Sequence, residues 1–134
     1  MGDLVRIALD AMGGDHAPLE TVMGAVDAVN TRSNAMVYLV GKKDIIENEL
    51  LKYSYPKDRI KVVPASEVIE TGDPPVMAIR RKKDSSMVVG LNLVKNGECD
   101  AFVSAGSSGA ILVGGQFIVG RIRGVERSPL APVF

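Results

Sequence analysis

The stretch Val5-Arg-Ile-Ala-Leu-Asp-Ala-Met-Gly-Gly-Asp-His-Ala-Pro18 decides the fold. Val5 to Leu9 is a strand candidate, and it runs directly into a turn with two glycines, two carboxylates and a histidine. Pro18 stands where a helix opens, because a first-turn residue needs no N–H and proline's φ is already helical. Val22, Val26 and Val29 then recur at helical spacing up to about Asn30. Strand, glycine turn and helix in that order form the first half of a βαβ unit.

The pattern repeats outward from there. Met36 to Val40 is a second strand, ended by Gly41, and Asp44 followed by Glu47 resembles a capping box opening a short helix through Leu51. Ile60 to Val63 is a third strand, stopped by Pro64. Thr71-Gly-Asp-Pro-Pro75 breaks the chain, with Asp73 as a cap and Pro74 at the first position of a helix that carries Arg80-Arg-Lys-Lys83. Ser85 or Ser86 starts another helix, apolar almost all round and so expected to be central. Ala101 to Ser104 is the fourth strand, and a second glycine loop leads into a helix from Ala110 to Val119. Strands alternating with helices give an α/β class with a mainly parallel sheet.

The 134 residues fit one globular domain. Sixteen basic side chains balance sixteen acidic ones, which argues against wholesale binding to nucleic acid or a membrane surface. Aromatics at 4% and no Trp remove the stacking groups that single-strand readers use. The single cysteine, Cys99, allows neither an internal disulfide nor a zinc site and fits a reducing cytoplasm. Arg6 and Asp10 interrupt the N-terminal apolar run before signal-peptide length, and Arg at position 6 does not suit myristoylation of Gly2. Ala101 to Gly120 carries no charge, yet its apolar part, Ala110 to Val119, is about half a membrane span and reads as a buried helix.

Two strand-to-helix turns carry the chemical signal. In Ser104-Ala-Gly-Ser-Ser-Gly-Ala110, small residues let a backbone approach a ligand, and free N–H groups at a helix start favour phosphate or carboxylate. The same residues also suit a tight βα turn with a serine cap. No Lys follows Gly109, and neither Gly-x-Gly-x-x-Gly nor Gly-x-Ser-x-Gly is present, so Walker, dinucleotide and nucleophile-elbow readings fall. In the first turn, Asp10, Gly14, Asp15 and His16 stand just past a strand's C-terminal end, where open α/β sheets keep their ligands. His16 reads as a general base or phosphate donor, or as a helix-start histidine that satisfies backbone. Asp10 and Asp15 line a site or order the loop through Asx-type bonds. Arg80, Arg81, Lys82 and Lys83 read as a solvated face, or as a dock for an acidic protein or a phosphate clamp.

Over all 134 positions the sequence resembles the N-terminal part of the bacterial phosphate acyltransferase family, PlsX. The resemblance rests on Ala8-Leu-Asp-Ala-Met-Gly-Gly-Asp-His-Ala-Pro18, Glu67-Val-Ile-Glu70 with Asp73 and Pro75, and Arg80-Arg-Lys-Lys-Asp-Ser-Ser-Met87. It continues through Asp100-Ala-Phe-Val-Ser-Ala-Gly106, Gly120-Arg-Ile-Arg-Gly124 and Arg127 before Pro129-Leu-Ala-Pro132. The loop departs from the family's usual Asn-Thr pair by carrying Ser107 and Ser108, which keep a donor at each place.

The resemblance implies a three-layer α/β/α sandwich related to the isocitrate and isopropylmalate dehydrogenases and to phosphate acetyltransferases, usually dimeric. It implies attack of inorganic phosphate on the thioester of acyl-[acyl carrier protein], giving acyl phosphate for a membrane glycerol-phosphate acyltransferase. No cofactor or metal is implied, nor a nucleic-acid partner, and the location implied is cytoplasmic with peripheral membrane contact. Gly106, Ser107, Ser108 and Gly109 are expected to take phosphate, with Asp10, Gly14 and His16 lining the same cleft. The basic run 80–83 is expected to meet the acidic carrier. Family members exceed twice this length, so the chain is expected to be a fragment that lacks part of the catalytic apparatus.

Overall fold

The computed structural model describes residues 4–121 and 123–124. One sheet contains β1 (Val5–Asp10), β2 (Ala35–Gly41), β3 (Ile60–Pro64) and β4 (Ala101–Val103), in the order β3-β2-β1-β4. Every pairing is parallel; Ile7 of β1 lies opposite both Val37 of β2 and Ala101 of β4. The helices are α1 (Leu19–Thr31), α2 (Lys43–Leu50), α3 (Pro75–Arg81), α4 (Ser86–Lys95) and α5 (Ser108–Gly114), the last running on into a π-helical turn, Gly115–Val119. None of the described helices is long and apolar enough to cross a membrane.

Period-two alternation distributes the strand side chains between two helix layers. Leu9, Val37, Leu39, Ile60 and Val62 pack with Val22, Ala25, Val26 and Val29 of α1 and with Ile46 and Leu50 of α2. Their neighbours Ala8, Tyr38, Val40 and Val63 face the opposite way and meet Val89 and Leu93 of α4. The other side of α4, through Met87, Val88 and Leu91, packs against α3 and α5. This double duty is why α4 is apolar almost all round. The result is the expected α/β/α sandwich.

Helix starts differ from the sequence reading where prolines and charges compete for the cap. Pro18 sits just outside α1, which begins at Leu19, and Thr21 Oγ1 ties that start to the turn after β1 by donating to the Ala11 carbonyl at 2.6 Å. The capping box at Asp44 does not form: α2 begins at Lys43, and Asp44 falls in the first turn, where its charge favours the helix dipole without capping. Likewise Pro74 occupies the N-cap position of α3 without a side-chain cap and Pro75 takes the first turn, while Asp73 accepts from the Glu70 amide at 2.9 Å and Lys82 Nζ at 2.7 Å. Ser85 does cap α4, its hydroxyl accepting from the Val88 amide at 3.2 Å. The final helix opens at Ser108, two residues before Ala110, because Ser107 supplies the cap.

The glycine pair in that helix has two different explanations. A β-carbon on Gly114 would lie 2.5 Å from Leu91 Cδ1 and 3.1 Å from Ile79 Cδ1, so the element approaching it is within this chain. Gly115 faces open space. Gly2, Arg127 and the Pro129-to-Pro132 motif lie outside the described residues.

Candidate functional site

From β1 the chain winds outward through β2 and β3, then returns to place β4 on the other side of β1. That reversal opens a crevice beyond the carboxyl ends of β1 and β4, the place where open α/β sheets bind ligands. Both turns singled out in the sequence meet there. A β-carbon on Gly13 would lie 2.8 Å from Asp10 Oδ2, 2.9 Å from Ser104 Oγ and 3.0 Å from the Gly106 nitrogen. Gly14, at φ +102°, brings its backbone against Ala105, a conformation and a proximity that both favour glycine.

Asp10 is the hub. It is 2% exposed, and its oxygens accept from the Met12 amide at 3.1 Å, Ser86 Oγ at 2.5 Å and Ser104 Oγ at 2.8 Å. Ser104 Oγ in turn accepts from the Gly106 amide at 3.0 Å. The carboxylate therefore lies beneath the crevice, turned to the protein. Ser86 and Ser104 are members of this site that pattern reading did not select.

Above it, Gly13, Gly14, Asp15, His16, Ala17, Glu20, Thr21 and Ala105 line a cleft of about 430 Å³. His16 is exposed at its wall, and among the described residues its imidazole has no hydrogen-bond partner. Asp15 and Glu20 give the same wall a negative contribution. The glycine loop separates into distinct roles. Gly106 packs into the Asp10 network, and Ser107, 8% exposed, spends its hydroxyl on the Ala110 amide at 3.2 Å. Ser108 is exposed with its hydroxyl unpartnered among the described residues. Gly109 is small for packing: a β-carbon there would meet Pro75 Cγ at 2.9 Å. The N–H groups of Ser108 and Gly109 belong to the first turn of α5, where helix geometry supplies no acceptor.

The basic run does not act as one unit. Arg80, Arg81 and Lys83 are exposed, whereas Lys82 Nζ donates to Asp73 at 2.7 Å and to the Val68 carbonyl at 2.8 Å. The Lys82 bond, with the Glu70 amide, holds the Asp73 carboxyl below its ordinary range. Burial pushes the Cys99 thiol up, leaving a thiol behind the sheet and not a nucleophile in the cleft. Among the described residues, no group of three His, Cys, Asp or Glu is arranged to hold a metal ion.

Residues 5–134 match the family described as fatty acid synthesis protein. The chain is 57% identical over 130 residues to the phosphate acyltransferase of Alkaliphilus oremlandii, which covers 97% of this chain and 38% of that protein. Phosphate acyltransferases of Clostridium botulinum and Clostridium tetani are 54% and 52% identical over 129 residues, each covering 96% of this chain and 39% of theirs. The chain thus spans about two fifths of the length of these relatives. With a parallel α/β/α core, a crevice built from both glycine turns and this match across nearly its whole length, the chain belongs to the fatty acid synthesis protein family.

Proposed function

We propose that this chain is the N-terminal part of a phosphate acyltransferase that makes acyl phosphate from acyl-[acyl carrier protein] and inorganic phosphate, feeding phosphatidic acid and phospholipid synthesis. The observation that carries the reading is the convergence of both glycine turns on one crevice, in a chain 57% identical to a protein of that name.

The reaction asks little covalent help of the protein. A phosphate oxygen adds to the thioester carbonyl, the C–S bond breaks, and the departing thiolate takes a proton to leave as free thiol. Phosphate must be desolvated and held against the carbonyl, which is positioning and electrostatic work. The Gly106-to-Gly109 loop serves it through the free N–H groups of Ser108 and Gly109 and the Ser108 hydroxyl. Asp10 fixes that loop from below, and Gly14 lets it come close. His16, on the cleft wall, is positioned to hold phosphate or to protonate the leaving thiolate. Arg80, Arg81 and Lys83 offer an acidic carrier an exposed cationic edge, with Lys82 bracing it. The same reading takes the enzyme as a cytoplasmic homodimer in peripheral contact with the membrane, where a glycerol-phosphate acyltransferase consumes the product.

The test joins residues 1–134 to the remaining part of the Alkaliphilus oremlandii relative and follows acyl phosphate from palmitoyl carrier protein and phosphate. Turnover saturating in both substrates is expected. Binding of phosphate or carrier without turnover would replace the reading with a binding module.

A further inference from the structure

Ser86 is 1% exposed, stands at the first position of α4, and lies 76 residues from the carboxylate it bonds. Its hydroxyl gives its one proton to Asp10 Oδ1. On the other oxygen, Ser104 does the same, which turns Ser104's lone pairs toward the Gly106 amide. The direction of every bond in the chain Ser86, Asp10, Ser104, Gly106 is therefore set by the one member that only accepts. Gly13 closes the arrangement, since its missing β-carbon is what lets the first turn rest on Asp10, Ser104 and Gly106 together. Ser86 is also anchored from behind: its own amide donates to the Glu67 carbonyl at 3.1 Å, and Glu67 pairs with Ser85 in a parallel bridge.

We propose that Ser86 and Ser104 are positioning residues which, through Asp10, fix the Gly106 loop at the spacing from Gly13 and Gly14 that the phosphate cleft requires. The cost of losing one donor falls on the loop as well as on the donor, because a buried acceptor left short of partners repolarises its remaining bonds. This inference rests on the functional reading above for what the cleft holds, but the network itself is measurable without substrate.

The experiment uses the joined full-length protein with Ser86→Ala, Ser86→Thr and, as a core control on the opposite helix layer, Ile46→Val. Amide hydrogen exchange is read at Gly106 and at the core amides of Leu39 and Val26, and phosphate kinetics are read in parallel. Ser86→Ala is expected to speed exchange at Gly106 about tenfold with the core amides unchanged, and to raise the phosphate KM severalfold with kcat within about twofold. Ser86→Thr, which keeps the hydroxyl, restores both, and Ile46→Val moves the core amides and not Gly106. Unchanged Gly106 exchange in Ser86→Ala, or a KM that does not follow it, overturns the proposal. Absence of acyl phosphate from the unmutated protein sinks the functional reading alone and leaves the exchange result to decide the network.

Discussion

A β-carbon placed on Gly13 would come within 3.0 Å of the Gly106 amide nitrogen, although the two glycines belong to turns at opposite ends of the chain. The floor of the crevice is therefore the Gly13 backbone resting on the Asp10 and Ser104 side chains and on the Gly106 amide, a close approach that the missing β-carbon of Gly13 permits.

Gly13→Ala should push the turns apart. Three contacts at or below 3.0 Å, one of them backbone, leave the methyl no soft neighbour to displace. Overpacking of this kind costs about 1–3 kcal/mol. Gly24, inside α1 with open space around it, gives the opposite sign: Gly24→Ala should stabilise by about 0.5–1 kcal/mol. Denaturant midpoints of the two variants moving in the same direction would contradict the packing argument.

The strand-and-turn frame was legible because its signals are local. Ile7 and Leu9 alternate with their neighbours, glycines mark the turns, and Val22, Val26 and Val29 hold helical spacing. The Asp10–Ser86 bond was not, since no pattern couples residues 76 apart. Gly109 shows the same limit from the other side: its place in a loop suggested room for a ligand, whereas Pro75 occupies the space a side chain would need. At Asp44 and Asp73 the residue type was right for a cap, and the helix began one or two positions away from where that role would require.

Acid should weaken the middle segment. The Lys82 and Glu70 bonds lower the Asp73 pKa, and bonds from the Ser66 hydroxyl and amide lower that of Asp84, both from an ordinary 3.8. A carboxyl with a lowered folded-state pKa stabilises the fold above its unfolded value, and that contribution is lost as pH falls through the folded one. Stability should thus decline as pH drops from about 4 downward. Asp73→Asn and Asp84→Asn should each flatten that decline, and thermal melts between pH 5 and 2 check it. A slope identical to the unmutated chain's would remove these bonds from the acid response.

The cationic edge should divide by role. Arg81→Glu with Lys83→Glu is expected to slow association with an acidic carrier protein about tenfold at low salt, an effect that fades as the Debye length shortens. Lys82→Met should lower the melting temperature instead, since it unpartners Asp73 and the Val68 carbonyl, and leave the association rate near its starting value. Equal association rates for the charge-reversed and unmutated proteins across a salt series would reduce the run to a solvated face.

Between α3 and the turn that follows α5, Val76, Ile79, Arg80, Val113 and Phe117 line a groove of about 170 Å³. Two of its apolar side chains are exposed to water: Phe117 is 68% exposed and Val76 46%. Exposed apolar side chains at a groove favour contact with another apolar surface, because each Å² removed from water gains about 25 cal/mol. Residues 1–134 taken alone should therefore bind the dye ANS and self-associate through this face. Phe117→Ser should weaken both at little cost in stability, since a ring two-thirds in water contributes little to the core, whereas Ile79, 8% exposed and packed against Gly114, would unfold the chain if replaced by Ser. The measurement is dye fluorescence alongside sedimentation at several concentrations. A compact monomer that leaves the dye dark would show that these side chains fold back on the chain's own surface, and equal dye binding by Phe117→Ser would place the sticky surface elsewhere.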